Sequence, residues 1–275
     1  MAAIPGTAPG RLRGGARPSR GRGDGRSAWL FLSPNLIGFL LFTLLPIVAS
    51  LVISLFEWPL IGAPVFNGLA NYASLLHTDP VFARILLNTV VYVVGYVALN
   101  LIVSLGLAVW LTTKLRARSL LRVVFFLPVV TPMVASAIVW RMLFTPNQGI
   151  IDWVLTAVFH VAGPNWLGSP VWAMPAVIVM SVWQGFGYNM LLFVAGLESI
   201  PESLLEAARI DGAGAWSRFW RIRLPMLSPV IFFGVVMTLI TSFQVFTQPY
   251  VLTGGGPGVD TETLVFYLYQ KGFQF

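Results

Sequence analysis

The side chains able to do chemistry are few, and they do not assemble into a reaction centre. Glu57, Asp79, Asp152, Asp260 and Glu262 are scattered along the chain, and no two of them read as an acid/base dyad. His77 and His160 lie in segments that read as extramembranous, where a solvated or hydrogen-bonded histidine is the expected role. The absence of cysteine excludes a disulfide framework, a zinc cluster and a thiol nucleophile. Neither Lys114 nor Lys271 follows the glycine spacing of a phosphate-binding loop, so this chain is not expected to hydrolyse a nucleotide itself. No catalytic residue, metal site or cofactor is expected. What remains are uncharged polar groups inside long apolar runs. Gln184, Gly185, Tyr188 and Asn189 share one helical face; so do Thr238, Thr241 and Ser242, with Gln244 adjacent. Such groups suit a neutral, hydroxyl-rich solute read by hydrogen bonds, with Tyr188 or Phe243 stacking on a ring. The same groups also suit hydrogen bonding between helices, and for the Thr/Ser set the two readings weigh equally.

The elements that position these groups are set by composition. Of 275 residues, 57% are hydrophobic and 10% charged, where a soluble domain carries roughly 25% charged residues. The apolar residues come in runs, which points to lipid as solvent. Runs at Trp29–Phe56, Ile85–Thr112, Leu120–Phe144, Val171–Leu197 and Met226–Phe246 are each long enough to span a bilayer. Prolines inside them (Pro34, Pro46, Pro128, Pro132, Pro175, Pro229) are tolerable in membrane helices. Ile150–Ala162 is apolar but too short to cross, and it reads as an interfacial segment or a cap on the bundle. The fold expected is an all-α polytopic bundle with five spans. Residues 1–27, rich in Gly, Pro, Ala and Ser and carrying six Arg, read as a disordered basic tail rather than a signal peptide. Residues 28–275 form the membrane domain.

Orientation follows from the basic residues. Of the 17 Lys/Arg, all but Arg84, Arg141 and Lys271 fall in the tail, in the loop after the second span or in the loop after the fourth. These are alternate compartments in a five-span thread, which places the N-terminus in the cytoplasm. The net charge of +7 is then a retention signal, not a nucleic-acid footprint. Trp58, Trp140, Trp153, Trp166 and Trp172 read as interfacial anchors on the outer side.

The loop 198–225 between the fourth and fifth spans is the most informative segment. Ser199 and Glu202 have capping-box spacing, Pro201 suits a first helical turn, and Gly212 suits a C-terminal cap. That predicts a helix of about ten residues, with Glu206 beside the low relief of Ala207 and Ala208. A second element follows, in which Trp216, Phe219 and Trp220 alternate with Arg218, Arg221 and Arg223, ending at Leu224-Pro225. On the residues alone, an ordinary amphipathic loop helix is the favoured reading.

The spacing Glu206-Ala207-Ala208, three residues, Gly212, nine residues, Ile222-Arg223-Leu224-Pro225 resembles the EAA loop of binding-protein-dependent ABC permeases, without a gap. Ile210-Asp211-Gly212-Ala213 is similar to the sugar-importer branch, the maltose and glycerol-phosphate permeases. Pro34 through Pro46, Asn71-Tyr72, Asn88-Thr89, Phe125–Pro128 and Thr253–Pro257 extend the resemblance over residues 29–275. Arg223 departs from it, standing where that family has Thr or another small residue.

The resemblance implies a type I importer fold in the inner (plasma) membrane. In it, Glu206, Ala207, Ala208, Asp211 and Gly212 form a coupling helix docked on an ATPase subunit. It implies a second homologous permease subunit, two copies of an ATP-binding subunit that hold the ATP and Mg, and an extracytoplasmic solute-binding protein. Gly185 and Tyr188 would face the sugar. The solute would be a sugar or sugar-like molecule, with glycerol phosphate or its diesters left open. It also implies that the natural protein continues for about 25–35 residues beyond Phe275, through a sixth span. The glycine-rich segment Thr253–Gly258 is too rich in glycine to be expected to pack, and reads as a contact for the binding protein or substrate, or as a flexible connection. The alternative function is a secondary active transporter of a small polar solute. That class usually places an ionisable residue or a broken helix at mid-membrane, and no ionisable residue lies mid-span here. A membrane enzyme is a third, weaker reading.

Overall fold

The computed structural model describes residues 24–59, 61–113 and 116–274. The described residues divide into two compact units, one ending at Leu75 and the other beginning at Leu76.

In the first unit, α1 (Asp24–Phe39), a π turn (Leu40–Leu44) and α2 (Leu45–Ile53) are continuous, and Trp29–Ile53 is long and apolar enough to cross a membrane. The helix starts at Asp24, so the last four residues of the predicted disordered tail are helical; residues 1–23 lie outside the described residues. The π turn precedes Pro46 for a steric reason. A proline ring crowds the carbonyl four residues back and offers no amide to it, and the wider turn makes room. A short hairpin follows, β1 (Phe56–Glu57) against β2 (Val65–Phe66), and then α3 (Ala70–His77). Asn71 holds the chain where α2 ends, donating to the carbonyls of Ser54 (3.0 Å) and Phe56 (2.9 Å).

The second unit is built around α8 (Ala173–Glu198), against which α4 (Phe82–Leu111), α5 (Arg118–Val130), α6 (Met133–Leu143) and α11 (Leu224–Phe243) pack. Val177, Met180, Met190 and Phe193 of α8 are fully buried. Small residues permit the close approach: a Cβ on Gly187 would stand 2.6 Å from the Phe125 carbonyl oxygen.

The third span is not one helix, as expected from Leu120–Phe144. It is α5 and α6, bent by 98°. The cause is Pro132, which pushes Thr131 out of the helical region to φ −72°, ψ 140°. Arg118 and Arg122 at the start of α5 pair with Glu198 at the end of α8. At the other extremity, Phe144 contacts Trp166 (centroids 5.6 Å), which contacts Trp172 at the start of α8 (5.4 Å). α5 therefore begins beside the end of α8 and the chain beyond α6 reaches its start, and the two helices together make one candidate span with a sharp break.

Around the Trp172 end, α7 (Ile150–Phe159) is the short apolar helix expected. Asp152 is buried there, accepting from the Asn147 amide (2.9 Å) and the Trp166 indole N–H (2.7 Å). Trp166 is thus tied to Asp152, and Trp140 meets Phe144 at a tilt and Trp183 edge-on; both are half-buried.

Four helices complete the unit: α9 (Glu202–Ile210), α10 (Ala215–Arg218), α12 (Thr247–Leu252) and α13 (Leu264–Phe273). The glycine-rich segment Thr253–Gly258 does pack, against expectation: the Thr261 hydroxyl donates to the Gly256 carbonyl (2.8 Å) and meets the Thr253 hydroxyl (2.6 Å), and the residues that follow are held by α4. Asn88 donates to the carbonyls of Val259 (2.6 Å) and Glu262 (3.1 Å), the Leu264 amide donates to Thr89 (2.9 Å), and Arg84 pairs with Asp260 (2.8 Å). Glu262 is buried at 5% exposure and its Oε1 has no partner among the described residues; burial pushes its carboxyl above the ordinary range. The Asp79 carboxyl, bonded by the Tyr267 hydroxyl, is held below it.

Candidate functional site

Two features stand out, a cavity beside the middle of α8 and an exposed helix beyond its end. The cavity, about 290 Å³, is lined by Tyr96, Gly185, Tyr188, Asn189, Thr238 and Thr241, with Val129 and Met237. Five of the eight residues expected on the solute path therefore share one hollow, and among the described residues no charged group lines it.

The other three do not. Gln184 is 5% exposed and turned to the α5/α6 break, where its amide donates to the carbonyls of Pro128 (2.7 Å) and Thr131 (2.8 Å). It satisfies backbone that Pro132 frees from the helix, so its face of α8 is packing rather than cavity. Ser242 is buried with its hydroxyl on the Leu239 carbonyl (2.8 Å), and Gln244 is an exposed residue capping the end of α11.

The cavity wall is stiffened by a polar chain. Asn189 Nδ2 donates to Asn100 Oδ1 (2.7 Å) and to Thr238 Oγ1 (2.8 Å), and Ser104 donates to the Phe186 carbonyl (2.8 Å). Asn189 Oδ1 is left without a partner among the described residues. Tyr96 lies so close that a Cβ on Gly185 would stand 2.3 Å from its hydroxyl. Tyr96, Asn100 and Ser104 were not among the expected site residues. Their signal was present as three polar residues at four-residue spacing inside an apolar run.

Beyond Glu198, three residues lead into α9, which has no buried residue. Glu206, Ala207 and Asp211 are exposed and Ala208 is half-buried. The predicted capping box does not form. Ser199 belongs to the end of α8, where its hydroxyl bonds the Gly196 carbonyl (2.7 Å), and Pro201 occupies the cap position with no side-chain bond. The C-terminal cap does form. The Ala213 amide reaches the Ala208 carbonyl (2.8 Å) and the Gly212 amide reaches that of Arg209 (3.0 Å), with Gly212 at φ +77°, a conformation that favours glycine. The element after it is not separate from the fifth span. α10, a second π turn (Phe219–Arg223) and α11 form one helix, the π turn again preceding a proline, Pro225.

A family described as "Binding-protein-dependent transport system inner membrane component" matches residues 102–271. The Probable ABC transporter permease protein YurN of Bacillus subtilis (strain 168) is 41% identical over 249 residues, covering 89% of this chain and 85% of that protein. The Lactose transport system permease protein LacF of Rhizobium radiobacter is 37% identical (90% and 84% covered), and the Trehalose/maltose transport system permease protein MalF of Thermococcus litoralis 34% (90% and 85%). Among solved structures, a bacterial alginate ABC transporter in complex with alginate pentasaccharide-bound periplasmic protein superposes with a TM-score of 0.75 at 22% identity, covering 92% of this chain and 86% of that one. At that identity the likeness is one of fold.

Proposed function

Because this chain belongs to the binding-protein-dependent transport system inner membrane component family, we propose that it is a membrane-spanning subunit of an ATP-driven importer of a neutral sugar. The observation that carries the reading is that one helix, α8, bears the cavity wall at Gly185, Tyr188 and Asn189 and ends three residues before the exposed helix α9. Displacement of α9 by an ATPase dimer passes into α8, and through Glu198 to Arg122 into α5. The end of the unit holding α9 is then cytoplasmic, as is the N-terminus, and the partners are a second permease subunit, two ATP-binding subunits and an external solute-binding protein. ATP and Mg belong to the ATP-binding subunits.

The cavity supports the solute class. Its polar groups are hydroxyls and amides, and Tyr96 and Tyr188 offer ring faces. A phosphorylated solute would want a cation, and none lines the hollow; this favours neutral sugars over glycerol phosphate. The relatives named for lactose and for trehalose/maltose point the same way.

The test is reconstitution with the second permease, the ATPase and the binding protein. ATP-dependent uptake of a neutral oligosaccharide is expected, and it should vanish without the ATPase. Uptake that follows a proton or sodium gradient instead would favour a secondary transporter.

A further inference from the structure

A second hollow lies on the opposite side of α4 from Tyr96. It is an open groove of about 780 Å³ between the last three turns of α4 and the α10–α11 helix. Its floor is aliphatic, Ile102, Leu105, Val109 and Ile231 among its residues, and Gly106 deepens it: nothing stands within 4 Å of where a Cβ would be. From Ile102 to Thr113 the floor runs about 16 Å along the helix, roughly one bilayer leaflet's hydrocarbon depth. At the Thr113 end the character changes. Trp216, 74% exposed, and Trp220 form one wall, and the Arg223 side chain lines the groove. Arg223 makes no ion pair or side-chain hydrogen bond among the described residues, and no carboxylate lines the groove. Its neighbour Arg218, by contrast, is committed to the Ala213 carbonyl (2.6 Å). Arg223 is also the residue by which this loop departs from the EAA pattern.

We propose that this groove seats an anionic phospholipid of the cytoplasmic leaflet, a leaflet assignment that rests on the orientation proposed above. An acyl chain lies along Ile102–Val109, the indoles of Trp216 and Trp220 sit at headgroup level, and the phosphate pairs with Arg223. Charge selects the occupant: an aliphatic trough closed by one unpaired guanidinium complements a molecule that is apolar for most of its length and anionic at one end. Because the groove's upper wall is the continuation of the loop that holds α9, the lipid would brace that loop against α4.

The assembled complex, stripped of lipid, is titrated with phosphatidylglycerol or phosphatidylcholine of identical chains and read by native mass spectrometry. Photoactivatable phosphatidylglycerol maps the site. Wild type is expected to prefer phosphatidylglycerol about fivefold, the worth of one guanidinium near an anionic headgroup, and to be labelled within residues 102–113 and 215–231. Arg223→Thr should abolish the preference, and Gly106→Leu should reduce binding of both lipids. Equal affinity for the two lipids, a preference that survives Arg223→Thr, or crosslinks from the groove to the partner permease instead of lipid would each overturn the proposal. Co-purification of the ATPase, scored on the same samples, reports separately on the importer reading.

Discussion

Replacing Gln184 by leucine tests whether the α5/α6 break is held by one side chain. The Gln184 amide donates to two carbonyls, but they are not equally dependent on it. Pro128 O keeps the Thr131 amide (3.2 Å) and, as a closer donor, the Thr131 hydroxyl (2.6 Å). The Thr131 carbonyl, outside both helices, has the Gln184 amide as its donor. Gln184→Leu keeps the apolar bulk and orphans that one carbonyl. A buried unsatisfied group costs about 1–3 kcal/mol, and hydrogen bonds measured inside a membrane protein reach about 1.7 kcal/mol. A loss of about 2 kcal/mol is therefore expected, which lowers Tm by about 4–8 °C for a unit of this size. Intrinsic fluorescence of the ten tryptophans reports the melt in detergent. Sugar selectivity, measured in parallel, should be unchanged in the surviving protein. A Tm within roughly 1 °C of wild type, together with altered selectivity, would refute the argument and return Gln184 to the solute path.

Glu206→Ala should leave Tm unchanged, because exposed charges contribute little; it should weaken ATPase co-purification and ATP-driven uptake, since a charge lost from a partly desolvated interface costs on the order of 2–5 kcal/mol. Gly212→Val forces a branched side chain into the left-handed region at φ +77°, costs about 1–2 kcal/mol locally, and should uncouple ATP hydrolysis from uptake while the spans remain inserted. Gly187→Ala drives a methyl against the Phe125 carbonyl and the Val129 side chain, and should cost about 1–3 kcal/mol in thermal stability. Glu262→Gln should stabilise the protein in a pH-dependent way. The wild-type carboxyl is raised above its ordinary value of 4.5 by burial, so its stability is present at acidic pH and lost as pH rises through the raised value. The variant's advantage in Tm should therefore be absent near pH 4.5 and grow toward neutrality, a trend opposite to that expected of Asp79→Asn.

The spans were legible because apolar runs of the required length have few alternatives, and α4, α8 and the first helix agree with them to within a few residues. The break at Pro132 was less so, since a proline in a membrane helix kinks or passes depending on which neighbour satisfies the freed carbonyls. That neighbour, Gln184, was visible as a polar residue. Its facing is not legible, because helical spacing gives a side for Cβ but not the reach of a long amide, here to the carbonyls of Pro128 and Thr131. Ser199 and Glu202 matched a capping box by spacing alone, yet Ser199 still belongs to α8. The C-terminal cap was read correctly, because Gly212 carries its conformational reason in its own type. Tyr96, Asn100 and Ser104 share a face by spacing, but nothing in that spacing names the partner across the bundle: Asn189 lies 89 residues from Asn100.

The two halves of the broken crossing bear on how the chain is made. α5 has 13 residues and α6 has 11, about 20 and 16 Å of helix, and neither alone crosses some 30 Å of hydrocarbon. The amide that closes the gap between them lies 53 residues further on. A ribosome delivers α5 and α6 to the insertion machinery well before Gln184 emerges. Over that interval the Thr131 carbonyl must remain in contact with water or with the translocation pore, since release into lipid would strand it. The order of synthesis thus makes the third crossing a guest of the fourth. Truncation before Gln184 should leave residues 118–143 accessible to a membrane-impermeant label, and truncation beyond the end of α8 should protect them.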